Sequence, residues 1–225
     1  MNEVNPILLL NPLFRGFAPA TLPGLLHCLS AHEENYQKGE VIARTGEAVR
    51  EIGVVLEGYV DTEYLDYEGK RNILSSIHSQ DLFGDAFGFT TSGIYPIDIV
   101  SQCDSRILFL SIDKLLHPCS LTLSEQEHLM ENLLAIVANK YDALAEKSLL
   151  LSRRSTRDKL LAFFYQKAKE AKGLPFTIPF TQQELADYLF VERSGLSLEL
   201  NKLKKEGILN LSHGYYRLKK PFREI

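Results

Sequence analysis

The chain has 225 residues, enough for one large domain or two modest ones with separate cores. Its net charge of −4 hides a split: residues 1–151 carry 10 Lys+Arg against 21 Asp+Glu, a balance of −11, while residues 152–225 carry 15 against 8, a balance of +7. The acidic part is repelled by nucleic acid, whereas the basic third can neutralise phosphates and release their counterions, so the two parts are read as having separate jobs.

The opening MNEVNPILLLNP has an acidic residue, no basic flank and a proline at each end of its apolar run, so it is not read as a signal peptide. No apolar run approaches the ~20 residues of a membrane helix, and no membrane partner is expected. Cys28, Cys103 and Cys119 are odd in number, widely spaced and without a CxxC, which suggests neither a disulfide framework nor a metal knuckle. The expected compartment is the cytoplasm.

Residues 13–31 have Leu22, Leu25, Leu26 and Leu29 at helical spacing and predict a short amphipathic helix. From Tyr36 to Ile112 short β-rich runs (VVLEGYV, TEYLDY, NILSSI, PIDIVSQ, ILFLSI) alternate with turn signals, and eight of the 14 glycines lie between Gly39 and Gly93. Evenly spaced short strands with glycine turns predict a sandwich or barrel. Helical texture returns near Ser124, where Ser124 and Glu127 can form a capping box. The run to Leu151 has no Pro or Gly and spans 28 residues, roughly 42 Å of helix. Leu129, Leu133, Ile136, Leu144 and Leu151 lie near a 3.5 repeat, interrupted by Lys140 and Lys147. One face is expected to pack on the barrel and another to meet a second copy; a long core helix of a monomer is the alternative.

Ser155 with Asp158 starts a further helix that ends at Gly173, and PFTIPF at 175–180 is extended, its prolines confining it to an edge. Thr181 with Glu184 is another capping box, and Leu185, Ala186 and Leu189 form one apolar stripe. The chain turns near Phe190–Val191. A second helix carries Leu196, Leu200 and Leu203 inward, leaves Arg193, Ser194, Ser197, Asn201, Lys202 and Lys204 for other faces, and stops at Gly207. Alternation around a turn at His213–Gly214 predicts a small hairpin, the wing of a winged helix. A second helix with a polar, cationic outer face is the geometry that enters a DNA major groove; a helical hairpin with a solvated face is the alternative.

In this order the elements resemble the CRP/FNR family of bacterial transcription regulators over nearly the whole chain. NPLFRGFAPATLPGLLHCL looks like its N-terminal helix, YQKGEVIARTGE, IGVVLEGYVDTEYLDYEGK and SQDLFGDAFG like its β-roll, and RSGLSLELNKLKKEGIL like its recognition helix. The resemblance implies an α+β fold: an N-terminal double-stranded β-helix (β-roll) barrel over residues 1–122, a long dimerisation helix over 123–151 and a C-terminal winged helix-turn-helix over 152–225. It also implies a homodimer on a palindromic operator in double-stranded DNA, an effector in the roll that reorients the DNA heads through the long helices, and RNA polymerase as a further partner.

Cyclic-AMP-binding members place Gly-Glu in a phosphate cassette and Arg-Ser or Arg-Thr about ten residues on. Here those positions read Gly84–Asp85 and Tyr95–Pro96, and a buried phosphate without a cation carries a large desolvation penalty. The long-helix positions that usually touch adenine read Asp142 and Ala143, and Asp142 repels an anion. Cyclic AMP is therefore not expected. An uncharged or aromatic-friendly pocket with Gly84, Asp85, Phe87, Tyr95, Tyr64 and Asp142 is expected for a small effector, Asp85 being alternatively a surface turn residue. Lys70, Arg71 and Arg106 are the cations available to an organic acid. Iron–sulfur members need four Cys, three of them near the N-terminus, so no such cluster is expected. Haem is not expected either, because His27, His32, His78, His117 and His128 sit in no ligand motif; no cofactor is identified. Of the DNA-reading residues, Arg193 can be bidentate to guanine, Ser194 stands where Glu is common, and Ser197–Leu198 stands where Ser-Arg is usual. Leu198 cannot bond a guanine edge but can touch a thymine methyl. Gln182, Gln183, Lys202 and His213 complete the candidate DNA contacts. Two other readings stay open: an effector-binding module without DNA recognition, and a cupin-like metalloenzyme. For the latter the barrel segment offers only His78 and no HxH pair.

Overall fold

The computed structural model describes residues 6–65, 71–117, 121–173, 175–178, 180–212 and 215–218. They fall into two compact units, Met1–Asn139 and Lys140–Ile225.

In the first unit, two short 3-10 turns, Pro6–Leu10 and Pro12–Phe14, precede helix α1, Leu22–Cys28. The helix expected over 13–31 is thus confined to its last part. Gly16 breaks it with φ +88°, at a point where an added Cβ would lie 2.5 Å from His128 Nε2. Eight strands follow: β1 His32–Tyr36, β2 Val41–Ala43, β3 Glu51–Glu57, β4 Tyr59–Leu65, β5 Arg71–His78, β6 Leu82–Phe83, β7 Asp98–Ser101 and β8 Ser105–Ser111. They make two four-stranded antiparallel sheets, ordered β1-β8-β3-β6 and β2-β7-β4-β5. In β3 every residue from Ile52 to Leu56 is buried, as a strand covered on both faces requires. The run VVLEGYV is not one strand. It is cut at Gly58, whose φ of +82° and closeness to Ser105 Oγ (2.4 Å from an added Cβ) exclude a side chain. There the chain crosses from one sheet to the other.

Helix α2, Ile112–Leu116, leads to α3, Leu123–Leu151. The capping box that starts α3 is Thr122–Glu125, two residues before the expected Ser124–Glu127: Glu125 Oε2 accepts from Thr122 N (2.9 Å) and Oγ1 (2.7 Å), and Thr122 Oγ1 accepts from Glu125 N (3.3 Å). Leu129 and Leu133 are buried in the first core and Ile136 packs against it. Asn132, between them, donates to the carbonyls of Leu13 (3.0 Å) and Arg15 (2.9 Å). Leu129, Leu133 and Ile136 are therefore the part of the repeat turned to the roll, whereas Leu144 of the same repeat is 65% exposed. A second stripe runs at 3-4-3 spacing through Leu134, Val137, Tyr141 and Leu144, with Leu134 70%, Tyr141 72% and Leu144 65% exposed and Val137 half-buried.

The second unit contains the rest of α3, then α4 Thr156–Glu170, α5 Gln182–Tyr188, α6 Arg193–Lys205 and a hairpin of β9 Leu209–Ser212 with β10 Tyr215–Leu218. Its core joins Leu160, Phe163 and Phe164 of α4 to Leu185 and Ala186 of α5 and to Leu196, Leu200 and Leu203 of α6. The extended segment between α4 and α5 edges the hairpin: Phe176 and Tyr216 exchange backbone hydrogen bonds of 3.0 and 2.7 Å. Among the described residues no helix is long and apolar enough to cross a membrane.

Candidate functional site

The helix pair α5–α6 is built from local signals. Thr181 and Glu184 complete the expected capping box at the start of α5. Phe190 takes φ +51° in the turn, and Val191 N closes it on the Ala186 carbonyl at 3.0 Å. With Leu196, Leu200 and Leu203 inward, the 100° step of a helix puts Ser194, Leu198, Asn201 and Lys205 within about 50° of the opposite, outward line. All four are exposed, Leu198 at 58%. Arg193 is exposed at the start of α6 and Ser197 is half-buried beside the crest. Gln182 and Gln183 are exposed in the first turn of α5, Gln183 donating to Asp187 Oδ1 at 2.9 Å. His213 lies outside the described residues.

The other flank of α6 is held by a residue that the sequence reading missed. Arg157 of α4 grips Glu206 through both carboxylate oxygens, one bond measuring 3.0 Å, and lies 3.7 Å from Glu199. Lys202 donates to the same Glu199 at 2.6 Å, so Lys202 is exposed yet tied to its own helix. The hydrogen bond from Arg157 holds the Glu206 carboxyl below the usual carboxylate range. Nothing local signals this clamp: Arg157 and Glu206 are 49 residues apart.

In the first unit the cassette is a tight loop. Gly84 has φ +77°, and an added Cβ would meet the Glu51 carbonyl at 2.9 Å and Tyr95 Oη at 3.0 Å. Phe87 stands edge-on to Tyr95 with ring centroids 6.3 Å apart. Four of the expected effector residues, Gly84, Asp85, Phe87 and Tyr95, are thus brought together. Tyr64 is 43% exposed on β4, and Asp142 is exposed on α3 within the second unit. Two expectations need correction. Asp85 is not a surface turn residue, being 2% exposed. Tyr95 is 6% exposed and joins the hydrophobic core. The surroundings are not uncharged: burial first, then the Glu51, Asp85 and Glu47 carboxylates, push the Tyr95 hydroxyl up to about 12 and keep it a neutral donor. Of the candidate cations, Arg106 is committed to Glu57 and, at 3.4 Å, to Glu33. Lys70 lies outside the described residues. Among the described residues, no three His, Cys, Asp or Glu side chains are grouped to hold a metal ion.

Two family models match the chain: a cyclic nucleotide-binding domain over residues 33–120 and a Crp-like helix-turn-helix domain over residues 150–222. The transcriptional activator protein FnrL of Cereibacter sphaeroides is 25% identical over 186 residues, covering 79% of this chain and 72% of that protein. The nitrogen fixation regulation protein FixK of Bradyrhizobium diazoefficiens is 24% identical over 194 residues, covering 84% and 78%. Among solved structures, a CooA variant from Carboxydothermus hydrogenoformans shares the fold with a TM-score of 0.60, at 20% identity and with 98% and 94% of the two chains covered. The chain belongs to the CRP/FNR family of transcription regulators.

Proposed function

We propose that this CRP/FNR regulator acts in the cytoplasm as a homodimer that reads a palindromic operator and answers to a small effector, other than cyclic AMP, in its β-roll. The observation that carries this reading is the stripe Leu134, Val137, Tyr141 and Leu144 on α3, in which Leu134, Tyr141 and Leu144 are exposed and Val137 is half-buried. Four apolar positions at 3-4-3 spacing match the seam of a left-handed helix pair, and a second copy of α3 would bury them. A symmetric dimer presents two copies of α6 to half-sites about one DNA turn, roughly 34 Å, apart. The effector, by binding one arrangement of the long helices better than the other, shifts the population of DNA-competent heads. Cyclic AMP is disfavoured because its phosphate would meet the neutral Tyr95 hydroxyl and the Glu47, Glu51 and Asp85 carboxylates rather than a cation.

Selection from random duplexes, with and without added metabolite extract, tests the reading: an enriched palindrome is expected, and none in either arm overturns it. Arg193→Ala is expected to weaken specific binding and relax one base position by ~1–3 kcal/mol. Cyclic AMP is expected to leave the melting temperature unchanged; a rise of several degrees at sub-millimolar ligand refutes the cassette argument.

A further inference from the structure

We propose that Leu198 makes each head read a pyrimidine 5-methyl group, supplied by thymine, at the operator base pair beneath the crest of α6. The inference rests on the DNA-binding reading above and adds the chemistry of one base position.

Among the exposed positions of α6, Arg193, Ser194, Leu198, Asn201, Lys202 and Lys205, Leu198 alone is apolar. It is 58% exposed and sits on the outward line, one turn from Ser194 and three residues before Asn201. It takes no part in the core of the second unit, whose α6 members are Leu196, Leu200 and Leu203. The acidic groups of the helix are turned to the flank, where Arg157 and Lys202 hold Glu199 and Glu206, so the crest presents no carboxylate to a phosphate backbone. A leucine has neither donor nor acceptor and cannot tell guanine, adenine or cytosine apart by hydrogen bonding. The apolar feature that the major groove offers is the thymine methyl. Packing that methyl on Leu198 removes both from water, and the absence of the methyl leaves the leucine hydrated on one side. An Arg at this crest would select an acceptor edge instead. Ser194 and Asn201, on either side of Leu198, can bond neighbouring base edges without supplying the apolar contact.

The test uses the full-length protein and the duplex it selects from a random pool. Each thymine of a half-site is replaced in turn by deoxyuridine, which deletes the methyl and nothing else. One position per half-site is expected to weaken binding about fourfold, the equivalent of ~0.8 kcal/mol for one buried carbon. Leu198→Ala spares the core and is expected to bind the thymine and deoxyuridine duplexes alike. Leu198→Arg is expected to move the selected base pair toward guanine. A 5-methylcytosine duplex compared with its unmethylated form separates the sources of the methyl. Tighter binding shows that the methyl alone is read; equal binding, with the deoxyuridine loss intact, assigns the contact to thymine. Specific binding that no deoxyuridine substitution weakens, or deoxyuridine sensitivity that survives Leu198→Ala, overturns the proposal. No enriched duplex at all overturns the DNA-binding reading and this inference with it.

Discussion

All eight buried polar side chains among the described residues lie in the first unit: Asn11, Asp61, Thr62, Glu63, Asp85, Ser101, Ser105 and Asn132. In the second unit the buried positions, from Leu150 to Leu209, are apolar. The roll therefore has to satisfy hydrogen bonds internally, through pairs such as Asp61 with Ser76 Oγ (2.6 Å) and Glu63 with Gln102 Nε2 (2.7 Å). A buried polar group left unpaired costs ~1–3 kcal/mol, so these pairs restrict which arrangements of the roll are tolerated. The head has no such constraint inside. Its buried side chains are apolar, and the polar and cationic side chains of α6 stand on its outer face. One unit is specific inward and the other outward, and substitutions should separate them.

The largest effect is expected from Phe164→Ala. Phe164 is fully buried, with Phe163, Phe176 and Tyr216 rings at 5.5, 6.3 and 5.1 Å. Truncation should destabilise the head by ~3–5 kcal/mol, because the cavity loses packing and no polar pair can compensate. Hydrogen exchange should show the loss in residues 140–225. Equal loss of protection in the roll would break the division drawn here. In the roll, Gly84→Ala should destabilise by ~2–4 kcal/mol, the sum of a left-handed backbone penalty and overpacking. Its Cβ meets the backbone carbonyl of Glu51, which cannot step aside as a side-chain tip can. A urea titration showing no loss would mean that the cassette loop is looser than its geometry.

The same division explains what the sequence made legible. In the head the signals are local: Ser155 caps the Asp158 amide, Thr181 and Glu184 close a box, and Leu196, Leu200 and Leu203 state the buried face of α6. Gly207 ends α6 with φ +70°, as a left-handed cap demands. Of the strands of the roll, β5, β7 and β8 were legible as runs, β1, β2 and β6 were not, the boundary between β3 and β4 at Gly58 was overrun, and no partners were legible. His32 pairs with Phe109 and Tyr59 with His78, contacts set by closure of the sheets rather than by any local run. Burial of Asp85 and Tyr95 follows from that closure, which is why the pocket was misjudged as uncharged. The long helix poses a different problem. It is apolar on two sides, so the repeats from Leu129 and from Leu134 overlap, and only the position of the roll decides which one is covered. Arg157 was invisible because its partners belong to another helix.

Asn132→Ala probes the inward style with a single side chain. Asn132 is 7% exposed and its amide donates to two backbone carbonyls, those of Leu13 and Arg15. Removing it orphans the Leu13 carbonyl, while the Arg15 carbonyl keeps His128 Nε2 at 2.8 Å, and should destabilise the first unit by ~1–3 kcal/mol, read by urea unfolding. Asn132→Asp should fare no better, since a carboxylate offers no N–H to either carbonyl. A neutral result for both would mean that water replaces the amide, and that the roll tolerates polar loss as the head would.

The smallest effect is at the outward-facing cap of α5. Thr181→Ala removes the hydroxyl that accepts from Glu184 N at 3.2 Å and should cost ~1 kcal/mol. Its pH dependence has a definite sign. Hydrogen bonds from the Thr181 backbone and then its side chain hold the Glu184 carboxyl below the usual carboxylate range. A depressed folded value means that the contribution is fully present above the ordinary glutamate value of ~4.3 and is lost as pH falls through the folded value. Many other carboxylates titrate over the same window, so the informative quantity is the difference between wild type and variant. That difference should narrow as pH falls below ~4.3, because protonated Glu184 no longer draws on the hydroxyl. Glu184→Gln should keep the Thr181→Ala penalty nearly constant across the same range. A gap that widens toward acid would reverse the sign and dissolve the capping box as the element that starts α5.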